Sequence, residues 1–138
     1  MNLTKFPQYQ LYLLTLKLKV MKTRLLPENC DERCVNATII NRAYYSSYLY
    51  CELWLKKMKQ FKTKHPWEFK PEERIVGEHK QVRDALLEFG EENMRDELKE
   101  LASLRRTADY KPYRKITSQD VNESIEHMKT IFNHLKFE

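Results

Sequence analysis

The run Ile40-Asn41-Arg42-Ala43-Tyr44-Tyr45-Ser46-Ser47-Tyr48 decides the fold of this chain. It opens a long apolar stretch in which Glu52 is the only formal charge between Ala43 and Leu55, and tyrosines, Trp54 and two small serines fill most other places. A helix apolar around most of its circumference is buried by neighbours on several sides, so this stretch reads as a central helix from about Glu32 to about Phe61. Ser46 and Ser47 are small enough to let another helix approach closely.

Outward from that centre the other helices follow. Leu11, Leu14, Leu18, Met21 and Leu25 repeat at helical spacing, although Leu14 to Val20 also alternates as a half-buried strand would. No other stretch offers a strand to pair with it, so helix is the reading. Pro27 and the cluster Asn29 to Asp31 end this first helix, and Asp31 or a neighbour caps the next. Lys56, Lys57, Lys59, Lys62 and Lys64 suit the negative end of the central helix. His65-Pro66-Trp67 and Lys70-Pro71 mark an irregular connection. Pro71 is expected to open a third helix carrying Ile75, Val76, Val82, Leu86 and Phe89, with Gly90 as its stop. A fourth runs through Met94, Leu98, Leu101 and Ala102 to about Arg106. After a basic loop from Tyr110 to Ile116, Thr117 or Ser118 caps a fifth, with Asp120 in its first turn and Val121, Ile125, Met128, Phe132 and Leu135 along its inner face.

Only 2 glycines and 33% charged residues in 138 also favour helices over a turn-rich sheet protein. The expected architecture is all-α, a four- to five-helix up-and-down bundle, with residues 1–138 as one domain. That length buries enough surface to fold without a disulfide or metal. Three cysteines, no signal-like segment and no apolar run long enough to span a bilayer point to a soluble, cytoplasmic protein with reduced thiols and no membrane partner. A net charge of +5 raises the prospect of a polyanionic partner such as RNA.

On the central helix Asn41, Tyr44, Tyr45 and Tyr48 share a face. Buried amides and phenols require partners, and Arg105, four residues beyond Leu101 on the core stripe, with Asp109 four further on, supplies them. An inward Arg105 needs Asp109 or Asn41 to satisfy it. Two outcomes are open at this point: an internal network that fixes helix register, or a cationic site that engages phosphates.

Asn41-Arg42-Ala43-Tyr44-Tyr45-Ser46-Ser47, then His79-Lys80-Gln81-Val82, then Leu104-Arg105-Arg106-Thr107-Ala108-Asp109-Tyr110 and a last helix from Ser118 together resemble the HEPN superfamily. The chain is most similar to its small prokaryotic members with an Arg-Ala-Tyr-Tyr run and a later Arg-x-x-Ala-Asp-Tyr run, over about Asp31 to Leu135. The resemblance implies a helical bundle, a homodimer formed about the polar face, and a place in toxin–antitoxin or phage-defence systems, with an antitoxin or a nucleotidyltransferase as a possible protein partner. Many members are metal-independent endoribonucleases in which an Arg is followed after four to six residues by a His. There Arg stabilises charge on the reacting phosphate and His moves the proton.

This chain departs from that pattern. From Arg105 the histidine positions hold Tyr110, Lys111 and Pro112; from Arg106 they hold Lys111, Pro112 and Tyr113. The resemblance assigns catalytic places to Arg105, Arg106 and Tyr110 if cleavage occurs, and binding places to Asn41, Arg42, Tyr44, Tyr45, Asp109, Lys111 and Arg114. Tyr110 is a poor general base near neutral pH, though it can donate a proton or hydrogen-bond a phosphate. Arg74 to His79 matches the nuclease spacing literally but lies at the start of the short third helix and reads as coincidence. No metal or cofactor is expected: His127 and His134 lack a third ligand at suitable spacing, and Cys30 and Cys34 lack a second pair. Three functions follow: an RNA-directed HEPN module, a catalytically silent HEPN subunit that contacts another protein, or an unrelated helical interaction domain.

Overall fold

The computed structural model describes residues 3–25 and 31–137. After a short 3-10 turn at Leu3–Lys5 come five α-helices: α1 (Pro7–Leu25), α2 (Glu32–Lys59), α3 (Glu78–Glu88), α4 (Glu92–Tyr110) and α5 (Ser118–His134). No strand occurs among the described residues. The expected all-α bundle is therefore the observed one, while Pro27, Asn29 and Cys30 lie outside the described residues.

α2 is the axis, in contact with each of the other four helices. Its start is fixed by Asp31, whose carboxylate accepts from the backbone N–H of Arg33 at 3.1 Å. Its end is a left-handed residue, Gln60, at φ 55°. Ser46 and Ser47 are fully buried, as their size foretold. Both hydroxyls turn back onto the carbonyl of Ala43, at 3.1 and 2.8 Å, and Ser46 Oγ also lies 3.2 Å from Met128 Sδ of α5. Ile39, Ile40 and Leu55 of α2 pack with Leu86, Leu98, Leu101, Ile125, Met128 and Ile131 to make the core. Each such side chain contributes about 1.5–3 kcal/mol relative to exposure.

Local signals placed the ends of α5 and the α3–α4 turn. Thr117 and Asp120 cap each other reciprocally, Asp120 N–H to Thr117 Oγ1 at 3.2 Å and Thr117 N–H to Asp120 Oδ2 at 2.9 Å. Gly90, at φ 81°, takes the left-handed turn, and the Glu91 N–H behind it reaches the Leu86 carbonyl at 2.7 Å.

Three expectations need correction. α3 begins at Glu78 rather than at Pro71, so Ile75 and Val76 precede the helix and Ile75 is exposed. The cause is Gln81, whose amide bonds the Lys64 backbone in both directions and the Val76 carbonyl, clipping the long connection into an extended path. α4 continues to Tyr110, one turn past Arg106. On α1 the stripe faces another way: Tyr9, Tyr12, Leu16 and Leu18 pack on the core, whereas Leu14 and Met21 are exposed. Tyr12 stacks on Phe132 of α5 at 4.4 Å, and these aromatic contacts outweigh the leucine repeat in setting the helix's rotation.

Candidate functional site

The tail of α4 crosses the tyrosine-bearing middle of α2, and Arg105 lies at the crossing. Its Nε donates to Asp109 Oδ2 at 3.0 Å, and its Nη2 donates to the hydroxyls of Tyr45 at 3.0 Å and Tyr110 at 3.2 Å. The guanidinium carbon stands 5.7, 5.2 and 5.2 Å from the ring centres of Tyr44, Tyr45 and Tyr110, so cation–π attraction adds to the hydrogen bonds. Asn41 completes the group by donating Nδ2–H to the same Asp109 oxygen at 3.0 Å. A guanidinium carries five N–H donors. Three are taken here, and among the described residues the two on Nη1 have no protein acceptor. The Arg105 side chain is 18% exposed and Asp109 26%, so the pair is neither sealed in nor freely solvated.

Of the two outcomes left open by the sequence, the internal network is present, and within it Arg105 keeps the two Nη1 donors without a protein acceptor among the described residues. Asn41, Tyr44, Tyr45, Asp109 and Tyr110 are brought together around it. Arg42 and Arg106 are exposed on the flanks, outside the hydrogen-bonded group. Lys111 and Arg114 stand on the loop beyond α4 with exposed side chains. A cleft of about 630 Å³ runs beside the cluster, lined in part by Arg33, Asn41, Arg42, Asp109 and Pro112.

The structure also brings in a residue that the sequence set aside. His79, in the first turn of α3, stacks on Tyr48 with ring centres 4.1 Å apart and hydrogen-bonds the Tyr44 hydroxyl through Nδ1. Arg74 of the same apparent motif stays in the exposed connection, so the spacing match itself is coincidental and the histidine is not. Burial holds the His79 imidazole below its usual range, and the positive charges of Arg105 and Arg83 press it further the same way, against a smaller pull from Glu78. At neutral pH it is uncharged. Tyr44 is 1% exposed and His79 is its only hydrogen-bond partner among the described residues, so the phenol donates to Nδ1 and the ring proton sits on Nε2. Burial pushes the Tyr44 phenol up to about 12, even though Arg83 and Arg105 oppose the shift. Burial also raises Tyr48, aided by Glu52, whose carboxylate accepts its hydroxyl at 3.3 Å. Neither the Tyr44 nor the Tyr48 phenol ionises at neutral pH.

Arg33 was missed as well. From the first turn of α2 it donates to the carbonyls of Ala108 (3.2 Å), Lys111 (2.7 Å) and Arg114 (2.9 Å), placing a cation at the negative end of α4. Its acceptors are backbone atoms distant in sequence, so nothing local marks it. His127 pairs with Glu97, and His134 with Glu91 at 3.0 Å, which ties α5 to α4. Among the described residues no cluster of side chains suits a metal ion, and no helix is long and apolar enough to cross a membrane.

A family model described as a HEPN domain matches residues 32–137, from the first residue of α2 to just past α5, which leaves α1 outside it. No curated protein and no solved structure matches the chain.

Proposed function

Because the chain belongs to the HEPN family, we propose that it is an RNA-directed module of a prokaryotic toxin–antitoxin or phage-defence system, working by engaging RNA phosphates at the α2–α4 crossing. One observation carries the reading: Arg105 is held through Nε and Nη2 while both Nη1 hydrogens lack a protein acceptor among the described residues. A pre-oriented guanidinium with two donors to spare suits a phosphate's oxygens and loses little side-chain freedom on binding. Arg106, Arg42, Lys111 and Arg114 extend the positive field around it. A homodimer about this face would set two such sites side by side.

Phosphate binding needs no rearrangement of the cluster, whereas cleavage does. In the resting tautomer His79 offers an N–H donor and no free lone pair, because Nδ1 is occupied by Tyr44. A base for the 2′-hydroxyl would require the Tyr44–His79 bond to open first. The test is RNA affinity against salt. We expect a steep fall as salt rises, since neutralised phosphates release counterions, and a marked loss on Arg105→Ala and Arg106→Ala. Salt-independent or absent RNA binding overturns the reading. If RNA is cut, cleavage in chelator assigns the work to side chains rather than metal ions.

A second reading, a catalytically silent subunit that contacts a nucleotidyltransferase, an antitoxin or a larger assembly, draws on α1. That helix lies outside the family match and exposes Leu14, Val20 and Met21. Co-purification with the product of an adjacent gene, lost on Val20→Asp, would favour it.

A further inference from the structure

The five residues after α4, Lys111 to Lys115, expose every side chain, and three of them are cations. Their backbone is nonetheless anchored from beneath. Arg33 takes the carbonyls of Lys111 and Arg114 at 2.7 and 2.9 Å, the Arg114 N–H returns to the Lys111 carbonyl at 3.0 Å, and the fully buried Asn36 holds the Ile116 carbonyl at 3.0 Å. Ile116 is plugged into the core at the loop's far end. A segment pinned at this many backbone points has few conformations left, so the fold sets where its side chains leave the backbone. One of those side chains, Tyr113, is aromatic, and a second tyrosine, Tyr110, stands just before the loop as the last residue of α4. Tyr113 is 101% exposed and Tyr110 67% exposed, whereas Tyr44, Tyr48 and Tyr50 are buried.

We propose that this loop is a stacking platform for unpaired bases of single-stranded RNA, with Tyr113 taking one base and Lys111, Arg114 and Lys115 holding the phosphates on either side. The inference rests on the phosphate reading above and names the form of RNA that the same site accepts. An exposed ring flanked by cations is the arrangement that single-stranded nucleic acid uses: the ring offers a π face to any base, the ammonium and guanidinium groups follow the backbone. Duplex RNA keeps its bases inside the stack and offers a ring of this kind nothing to stack on. Tyr110 links the platform to the cluster, because its hydroxyl accepts from Arg105 at 3.2 Å while its ring remains largely open. Tyr113 lines a groove with Arg33, Arg114 and Lys115, and Arg33 also lines the neighbouring cleft beside Asn41, Arg42 and Asp109, so the two surfaces meet at Arg33.

Tyr113 is the clean probe, since it bears no packing load and Tyr110 also supports Arg105. The experiment measures fluorescence anisotropy of the full chain with a labelled unstructured oligoribonucleotide and with a blunt-ended hairpin of the same composition, over a range of salt. Wild type is expected to prefer the single strand. Tyr113→Ala should weaken single-strand binding roughly five- to hundredfold, the range that stacking of one base supports, and leave both hairpin binding and the salt slope unchanged. Tyr113→Phe keeps the ring and should bind as wild type; Lys111→Ala with Arg114→Ala should flatten the slope by about two phosphates' worth. Equal affinity of wild type for the two RNAs, or wild-type affinity in Tyr113→Ala, overturns the platform. If Arg105→Ala abolishes binding while Tyr113→Ala does not, the phosphate site stands and the platform falls. If wild type binds neither RNA, both fall.

Discussion

α2 carries two sets of aromatic residues that satisfy their polar atoms in different ways. Toward α1 and α5, the Tyr50 hydroxyl donates to the Leu135 carbonyl at 2.7 Å, Trp54 Nε1–H donates to the Lys136 carbonyl at 3.0 Å, and Tyr50 stacks on Phe132 at 4.0 Å. Toward α3 and α4, Tyr44, Tyr45 and Tyr48 meet His79, Arg105 and Glu52. Backbone carbonyls do not titrate, cannot rotate away and cannot be displaced by a ligand without unfolding the chain locally. Imidazole and carboxylate can do all three, and guanidinium, which stays charged, can do the last two. The first set therefore fixes the bundle, and the second is where chemistry and binding are possible, although both lie on one helix and are built from the same residue types.

The largest effect should come from breaking the first set. Tyr50→Ala removes a fully buried ring and is expected to cost about 3–5 kcal/mol in urea unfolding, with RNA affinity of the folded fraction unchanged. Arg105→Ala should show the opposite profile. A charge-assisted hydrogen bond contributes about 1.5–3 kcal/mol, so RNA affinity should fall about tenfold or more in a titration while the fold survives. The pair Tyr44→Phe and Tyr50→Phe sharpens the contrast at smaller scale. Each should lose about 1 kcal/mol of stability with its hydrogen bond. Only Tyr44→Phe removes a donor that favours the neutral imidazole, so only it should raise the His79 titration midpoint followed by NMR.

The smallest expected effect is the response to acid. His79 titrates lower in the folded chain than in the unfolded one, because burial, Arg105 and Arg83 disfavour its charge. Its contribution is thus fully present above the unfolded value of about 6.5 and is lost as pH falls through the lowered folded value. Thermal melts of wild type and His79→Gln should draw together as pH falls from 7 to 5. A gap that stays constant or widens would mean that the imidazole is not held neutral.

The sequence disclosed what is local and concealed what is made by contact. Asp31, Thr117 with Asp120, and Gly90 act within a few residues of themselves, so those helix ends were legible. Arg105 and Asp109 are one turn apart on α4, so spacing made Asp109 one of two candidate partners with Asn41, and the ion pair forms with Asp109. α1 was misjudged in rotation because its apolar residues surround the helix, and only stacking on Phe132 selects a face. The start of α3 followed Gln81 rather than Pro71, a choice made by backbone atoms on the far side of the connection. The contacts of His79 and Arg33 were invisible for the same reason: their partners are 35 and 75 to 81 residues away in the chain, and no spacing rule reaches that far. The family resemblance included His79 among its motif residues but gave it no place beside Tyr44, and it did not include Arg33.

The claim at the centre is that phosphate meets the α2 face bearing Tyr44, Tyr45 and Arg105, and not the face bearing Tyr50 and Trp54. The most direct measurement is an NMR titration with an unstructured oligoribonucleotide that follows the Arg105 Nε–H, the Asn41 side-chain amide and the Trp54 indole N–H together. Saturable shifts of Arg105 and Asn41 with Trp54 unmoved is the predicted result. Shifts confined to residues away from the crossing, with Arg105 and Asn41 unmoved at saturation, would contradict it.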